Sequence, residues 1–247
     1  TSIEFPDSLN SIGRYAFTKN ELATVIIPDN VSFIGFAAFL DNKLSSVNLG
    51  GNVTTIEASA FELNQLESIT LPDSVISLGD YAFSANRLTN ISIGNSLSII
   101  GEAAFKDNEL SDLVVPASVT TIATDAFGKN QLQNIFFYGE RTNLLDDDAF
   151  YDNPNLASIT YCQIRNGWPG SAISSGADFI IPVGIECDSD FDGVSDSSDA
   201  FPLTSLGGLI DTDGDGFPNE CDLICEATGM LADVDDDNDG FTDEQEG

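Results

Sequence analysis

The chain has 247 residues, 42% of them hydrophobic, enough for a packed core and incompatible with wholesale disorder. With 41 acidic against 8 basic residues the net charge is −33, which excludes nucleic acid and anionic membrane surfaces as partners, because both need clustered Lys and Arg. No apolar run approaches the ~18 residues of a membrane span, so no membrane insertion is expected. Histidine, the commonest general base, is absent. No signal peptide is visible at the start. The first residues, TSIEFP, read as the middle of a repeat, so a fragment or processed form is expected.

The pair Ala-Phe sets the register from the N-terminus onward. It falls at 16–17, 38–39, 60–61, 82–83, 104–105, 126–127 and 149–150, a spacing of 22 five times and then 23. Asn follows at 20, 42, 64, 86, 108, 130 and 153, and Leu at 22, 44, 66, 88, 110, 132 and 156. A fixed period of about 20–29 residues carrying L-x-x-L-x-L marks a leucine-rich solenoid. In LATVII (22–27), Leu22, Val25 and Ile27 are expected inside and Ala23, Thr24 and Ile26 outside, by strand alternation with a kink at the Leu. NVSFIG (30–35) reads as a second short strand. Pro28, Pro72 and Pro116 end the first strand, since proline cannot donate to a ladder. Gly50 and Gly94 occupy the same position and are expected to permit the turn. The seven Phe should stack as one spine, the preceding Ala being small because the turn is tight. The Asn column should form a buried ladder that satisfies backbone groups of adjacent coils.

These in-register motifs resemble the BspA-like leucine-rich repeats of bacterial and protist surface proteins. The resemblance covers residues 1–161, seven copies with the first incomplete. It implies a secreted or surface-displayed protein that binds an extracellular protein or glycan.

Two outward columns run along the first strands: Thr24, Ser46, Ser68, Asn90, Asp112, Asn134, Ser158, and Ile26, Asn48, Thr70, Ser92, Val114, Phe136, Thr160. Both are mostly small and polar, as a solvated sheet surface would be, or as a polar face for a glycan or a shallow protein contact. Hot spots favour aromatic residues. The candidate ligand-binding residues are therefore Phe136, Tyr138 and Tyr151. A flanking column, Glu21, Lys43, Gln65, Arg87, Glu109 and Gln131, suits cross-strand charge pairing.

The period decays after Tyr161. Residues 162–187 read as a C-terminal cap, with the single Trp168 covering the last coil's apolar edge. Cys162 and Cys187 bracket it, and Cys221 and Cys225 lie close together. Four Cys allow three connectivities; 162–187 with 221–225 is preferred, and zinc is a poor alternative for this spacing. A loop of roughly 25 residues closed by a disulfide gains about 3–4 kcal/mol. An even Cys count suits an oxidising, extracellular compartment.

Residues 188–247 hold nineteen of the 41 acids and no Lys or Arg. The acids repeat a calcium-loop spacing. Asp188, Asp190, Asp192, Asp196 and Asp199 take loop positions 1, 3, 5, 9 and 12 around Gly193. Asp211, Asp213, Asp215, Asn219 and Asp222 repeat this around Gly216, and Asp235, Asp237, Asp239, Asp243 and Glu246 around Gly240. Position 7 offers a backbone carbonyl from Val194, Phe217 and Phe241; Asp233 is an extra acid able to bridge to a neighbouring ion. Oxygen donors in this pattern select Ca²⁺, about three or more ions. Flanking Pro202, Gly207, Gly208 and Gly229 break the helices an EF-hand needs. The runs resemble thrombospondin type 3 repeats instead, with fewer Cys and longer spacers. That resemblance implies a calcium-wrapped stalk.

No G-x-G-x-x-G, phosphate loop or nucleophile elbow is present, so no enzyme is expected. The fold class is mainly β solenoid: a right-handed leucine-rich coil of short strands with turn or 3-10 segments, followed by an irregular calcium-binding segment. The function expected is a non-enzymatic recognition or adhesion module, with a purely structural spacer as the alternative.

Overall fold

The computed structural model describes residues 2–138 and 144–162, and the strands at 173–174, 179–180 and 183–185. The chain divides into two compact units, 1–161 with 166–184, and 162–165 with 185–247; the features below belong to the first, apart from the strand-end residues Cys162 and Ile185.

Each repeat forms one coil with two short strands and a corner. The first strands are β1 (Ser2–Ile3), β3 (Thr24–Ile26), β5 (Ser46–Asn48), β7 (Ser68–Thr70), β9 (Asn90–Ser92), β11 (Asp112–Val115), β13 (Asn134–Phe137) and β15 (Ser158–Cys162). The second strands are β2 (Ser11–Ile12), β4 (Phe33–Ile34), β6 (Thr55–Ile56), β8 (Ser77–Leu78), β10 (Ile99–Ile100), β12 (Thr121–Ile122) and β14 (Leu144–Leu145). Pairing is parallel, and partners lie one repeat apart, as in Thr24↔Ser46 and Ile34↔Ile56. The described residues contain no helix; turns connect the strands. The β solenoid of about seven turns expected from the repeat is what forms. Past β15, β16 (Ile173–Ser174) pairs antiparallel with β17 (Phe179–Ile180), and β18 (Val183–Ile185) adds to β15's sheet. Trp168 and Cys187 of the expected cap lie outside the described residues, as do Cys221, Cys225 and the side chain of Cys162.

The core follows the repeat positions. Leu22, Val25 and Ile27 are buried while Thr24 and Ile26 are exposed. From Phe17 to Phe150 the seven rings stack at centroid separations of 5.2–5.7 Å, with interplanar angles between 5° and 17°. The Ala before each Phe is fully buried from Ala38 onward. At this corner the Phe N–H donates to the Ala carbonyl of the next coil from Phe17 to Phe127, as Phe61 does to Ala82 at 2.8 Å.

The Asn column is the polar seam of the core. Asn86 Nδ2 donates to the carbonyls of Phe61 in the preceding coil (2.9 Å) and of Phe83 (3.1 Å) and Ser84 (3.3 Å) in its own. Its Oδ1 accepts the Leu66 N–H at 3.1 Å. Asn42, Asn64, Asn108, Asn130 and Asn153 make the same kind of bridge. Asn20, in the first coil, is exposed and bonds only locally, to the Thr18 carbonyl.

Gly50 and Gly94 sit at the turns, without left-handed backbone. They are small because a Cβ at Gly50 would lie 2.4 Å from the Pro28 carbonyl oxygen, and one at Gly94 2.6 Å from that of Pro72. From Pro28 to Pro116 proline and glycine alternate down this column, and β3 pairs with β5, and β7 with β9, while the ladder breaks between β5 and β7 and between β9 and β11. Gly50→Ala is therefore expected to cost about 1–3 kcal/mol by overpacking, read as a lowered urea midpoint. An unchanged midpoint would show that the two turns have room to separate. The left-handed positions are held instead by ordinary residues. Tyr15, Ala37, Ser59, Tyr81, Ala103 and Asp125 form one such column at φ 52–59°, and Lys19, Asp41, Leu63, Ala85, Asp107, Lys129 and Asp152 a second at 52–60°.

Candidate functional site

The outward side of the first strands carries the two columns read from the sequence. Ile26 is 67% exposed and Val114 52% exposed, with the small polar residues between them. Val114, Phe136 and Thr160 are register neighbours on β11, β13 and β15. Phe136 and Tyr138 alternate with the buried Phe137, so both rings leave the sheet on its outer side, where they meet edge to face at 4.8 Å and 89°. Phe137 points inward and meets Phe150, the last ring of the spine, at 6.3 Å. Phe136 and Tyr138 thus form one half-exposed aromatic step beside Val114. Tyr151 is placed elsewhere. It follows Phe150 at the Ala-Phe corner, 45% exposed, and its ring pairs with neither of the other two.

Beside this step the polar column is bonded across three coils. Asn134 Nδ2 donates to Asp112 Oδ1 at 2.9 Å, and the Ser158 hydroxyl donates to Asn134 Oδ1 at 2.8 Å. The Ser111 hydroxyl donates to Asp112 Oδ2 at 2.8 Å. The Asn134 and Ser111 bonds hold the Asp112 carboxyl below the usual carboxylate range. In the flanking column Lys43 pairs with Glu21. At the corner, half-buried Lys106 pairs with Asp125 at 2.5 Å, and this bond raises the lysine's pKa above its ordinary value.

The second strands carry a feature that the sequence reading missed. Their outward column runs Ser11, Phe33, Thr55, Ser77, Ile99 and Thr121. The adjoining corner column runs Arg14, Phe36, Ala58, Asp80 and Glu102. Side chains are large in the second coil and small in the third, and an open groove of about 630 Å³ lies there. It is lined by the large Phe33, Phe36 and Arg14 and by the small Thr55, Ala58 and Ser77. The Arg14 guanidinium lies 5.1 Å from the Phe36 ring centre and 6.0 Å from that of Tyr15, and those two rings meet edge to face at 5.1 Å. Among the described residues Arg14 makes no ion pair. The signal was legible in the columns of the second strand, where residue size steps down after Phe33 and Phe36.

Every predicted calcium ligand from Asp188 to Glu246 lies outside the described residues. Among the described residues no group of three or more acidic or Cys side chains is placed to hold a metal, and no helix is long and apolar enough to cross a membrane.

Comparison with known proteins bears on the fold. The pneumococcal vaccine antigen PcpA is similar in structure, with 20% identity, TM-score 0.52, and coverage of 62% of this chain and 50% of that one. A leucine rich cell surface protein from Faecalibacterium prausnitzii A2-165 matches at 26% identity and TM-score 0.48, covering 69% of this chain and 55% of its own. The chain thus spans about half the length of these structures. No curated protein matches. The family model for the BspA type leucine rich repeat region, in 6 copies, matches residues 1–109 and 54–167. With the 22-residue register, the Phe spine and the Asn seam all inside that span, the chain belongs to the BspA-type leucine-rich repeat family.

Proposed function

We propose that the chain is a non-enzymatic recognition module, secreted or displayed on a cell surface, that binds an extracellular protein or glycan through the outer face of the first strands. The observation that carries this reading is the Phe136–Tyr138 step beside exposed Val114, where aromatic area stands out from an otherwise small, polar sheet. The family resemblance, the even Cys count and the extracellular-type calcium loops support the location. A chain without histidine supports the absence of catalysis. Binding to an array of extracellular matrix proteins and glycans tests it. A reproducible ligand should lose at least about tenfold in affinity with Phe136→Ala, the loss of one good aromatic contact. A ligand indifferent to both Phe136→Ala and Tyr138→Ala would move recognition off this face. An array with no ligand would favour the second reading, a structural spacer. That reading draws support from the polar column, whose Asp112, Asn134 and Ser158 are occupied with one another.

The tail is proposed as a calcium-stabilised stalk. Its support is the donor set itself: three glycine-centred loops of carboxylate and carbonyl oxygens at calcium spacing. Affinity near 10⁻⁴ M or tighter is expected, in the range of extracellular modules, so the ions would be structural. Chelation should enlarge the chain in small-angle scattering and open residues 188–247 to protease while the repeats stay resistant. A chain of unchanged size and cleavage pattern in chelator would dismiss the stalk.

A further inference from the structure

We infer that the groove beside Arg14 and Phe33 is a second binding site, for a short neutral oligosaccharide. It lies on the second strands and stands apart from the Phe136 face.

Four features of the groove carry the assignment. Its volume, about 630 Å³, falls in the range of small-molecule sites. Phe33 lines the groove and stands between the small Ser11 and Thr55 in the outward column, so its ring has no bulky neighbour along the sheet and can serve the C–H face of a sugar ring. The polar groups come as both donors and acceptors. Arg14 is held over the Phe36 ring without an ion pair, leaving a planar fork of donors already oriented. Glu57 accepts the Phe36 N–H through Oε2 at 2.9 Å, and Asp80 accepts the Glu102 N–H through Oδ1 at 2.9 Å. Each carboxylate keeps a second oxygen for a ligand, and the hydroxyls of Thr55 and Ser77 both donate and accept.

Charge narrows the ligand. An anionic chain meets two carboxylates in the groove, Glu57 and Asp80. A cationic one meets Arg14. A neutral chain of hydroxyls pairs with donors and acceptors alike and desolvates no charge of its own. The groove is bounded by residue size rather than by burial, so the site suits a few sugar rings held weakly.

The test uses the intact chain in calorimetric titration with neutral linear trimers of glucose, mannose, galactose and N-acetylglucosamine, and with the galacturonic acid trimer. At least one neutral trimer is expected to bind with Kd of about 1 mM or tighter. Ala58→Trp, which fills the groove, and Phe33→Ala, which removes its apolar ring, should each weaken it at least about tenfold. Circular dichroism checks the fold; should Ala58→Trp fail to fold, Phe33→Ala and Arg14→Met decide the matter. No neutral trimer binding at 10-fold that concentration overturns the site. So does an acidic trimer that binds more tightly than every neutral one, or an affinity indifferent to the groove variants.

Discussion

Phe83→Ala is expected to lower the stability of the repeats by about 3–5 kcal/mol and to split their unfolding into two steps. Phe83 is fully buried and has a ring on both sides, Phe61 at 5.2 Å and Phe105 at 5.5 Å, nearly parallel to each. Truncation therefore removes two stacking contacts together with the burial of the ring. The hole cannot collapse, because the spacing of the coils is set by backbone bonds on either side, such as Phe61 N–H to Ala82 and Phe83 N–H to Ala104, both 2.8 Å. A solenoid couples only neighbouring coils, so weakening one interface in the middle uncouples the two halves. Urea unfolding followed by circular dichroism reads the midpoint and the number of steps. The terminal Phe17 is the control. It is partly buried, stacks on Phe39 and meets Phe5 only edge to face, and Phe17→Ala should cost less and leave unfolding a single step. Equal costs at the two positions would mean that the spine does not act as a continuous stack.

Asn86→Asp should be as damaging as the loss of the ring, and its damage should depend on pH. The substitution swaps the amide NH₂ for an oxygen that faces the carbonyls of Phe61, Phe83 and Ser84. Leaving buried backbone groups without partners costs about 1–3 kcal/mol for each, so a loss of about 3–5 kcal/mol is expected at neutral pH. Burial and the surrounding carbonyl oxygens disfavour the carboxylate, so the folded pKa is raised above that of the unfolded chain. Between those two values the folded state binds more protons, and stability falls as pH rises through the window. Measured against wild type, the deficit should therefore shrink as pH is lowered from neutral toward the ordinary titration range of Asp, where the protonated acid can donate to a carbonyl. Asn20→Asp, at the exposed end of the column, should cost little and show no such trend. A deficit at position 86 that does not change with pH would rule out a carboxylate forced among carbonyls.

The repeat register made most of this legible. Once Ala-Phe fixed the phase, the inward Leu, Val and Ile, the stacked Phe and the Asn seam followed, because strand alternation and coil-on-coil stacking leave those positions no other partners. The turn chemistry did not follow. A local rule assigns left-handed backbone to Gly or Asn, yet Tyr81 at φ 59° and Leu63 at φ 57° hold it here. Each non-glycine residue so placed costs roughly 1–2 kcal/mol. The cost is met between coils, where the Tyr81 N–H donates to the Glu102 carbonyl at 2.8 Å and the Leu63 N–H to that of Ser84 at 3.1 Å. Gly50 shows the converse, a residue chosen for the space left by Pro28 in the neighbouring coil.

The candidate sites divide along the same line. That Phe136 and Tyr138 share a face is a matter of period two and was readable from their spacing. That Tyr151 stands away from them depends on the corner where the chain turns after Phe150. The groove at Arg14 depends on side-chain sizes compared across coils 22 residues apart, which parallel pairing makes neighbours. By itself, then, the sequence determined the family, the inward and outward positions and the spacing of acids in the tail, all of which are periodic and local. Tertiary structure alone decided which turns are strained, where glycine is obligatory and where the surface opens into a groove, because each of these depends on what the neighbouring coil brings within a few ångströms.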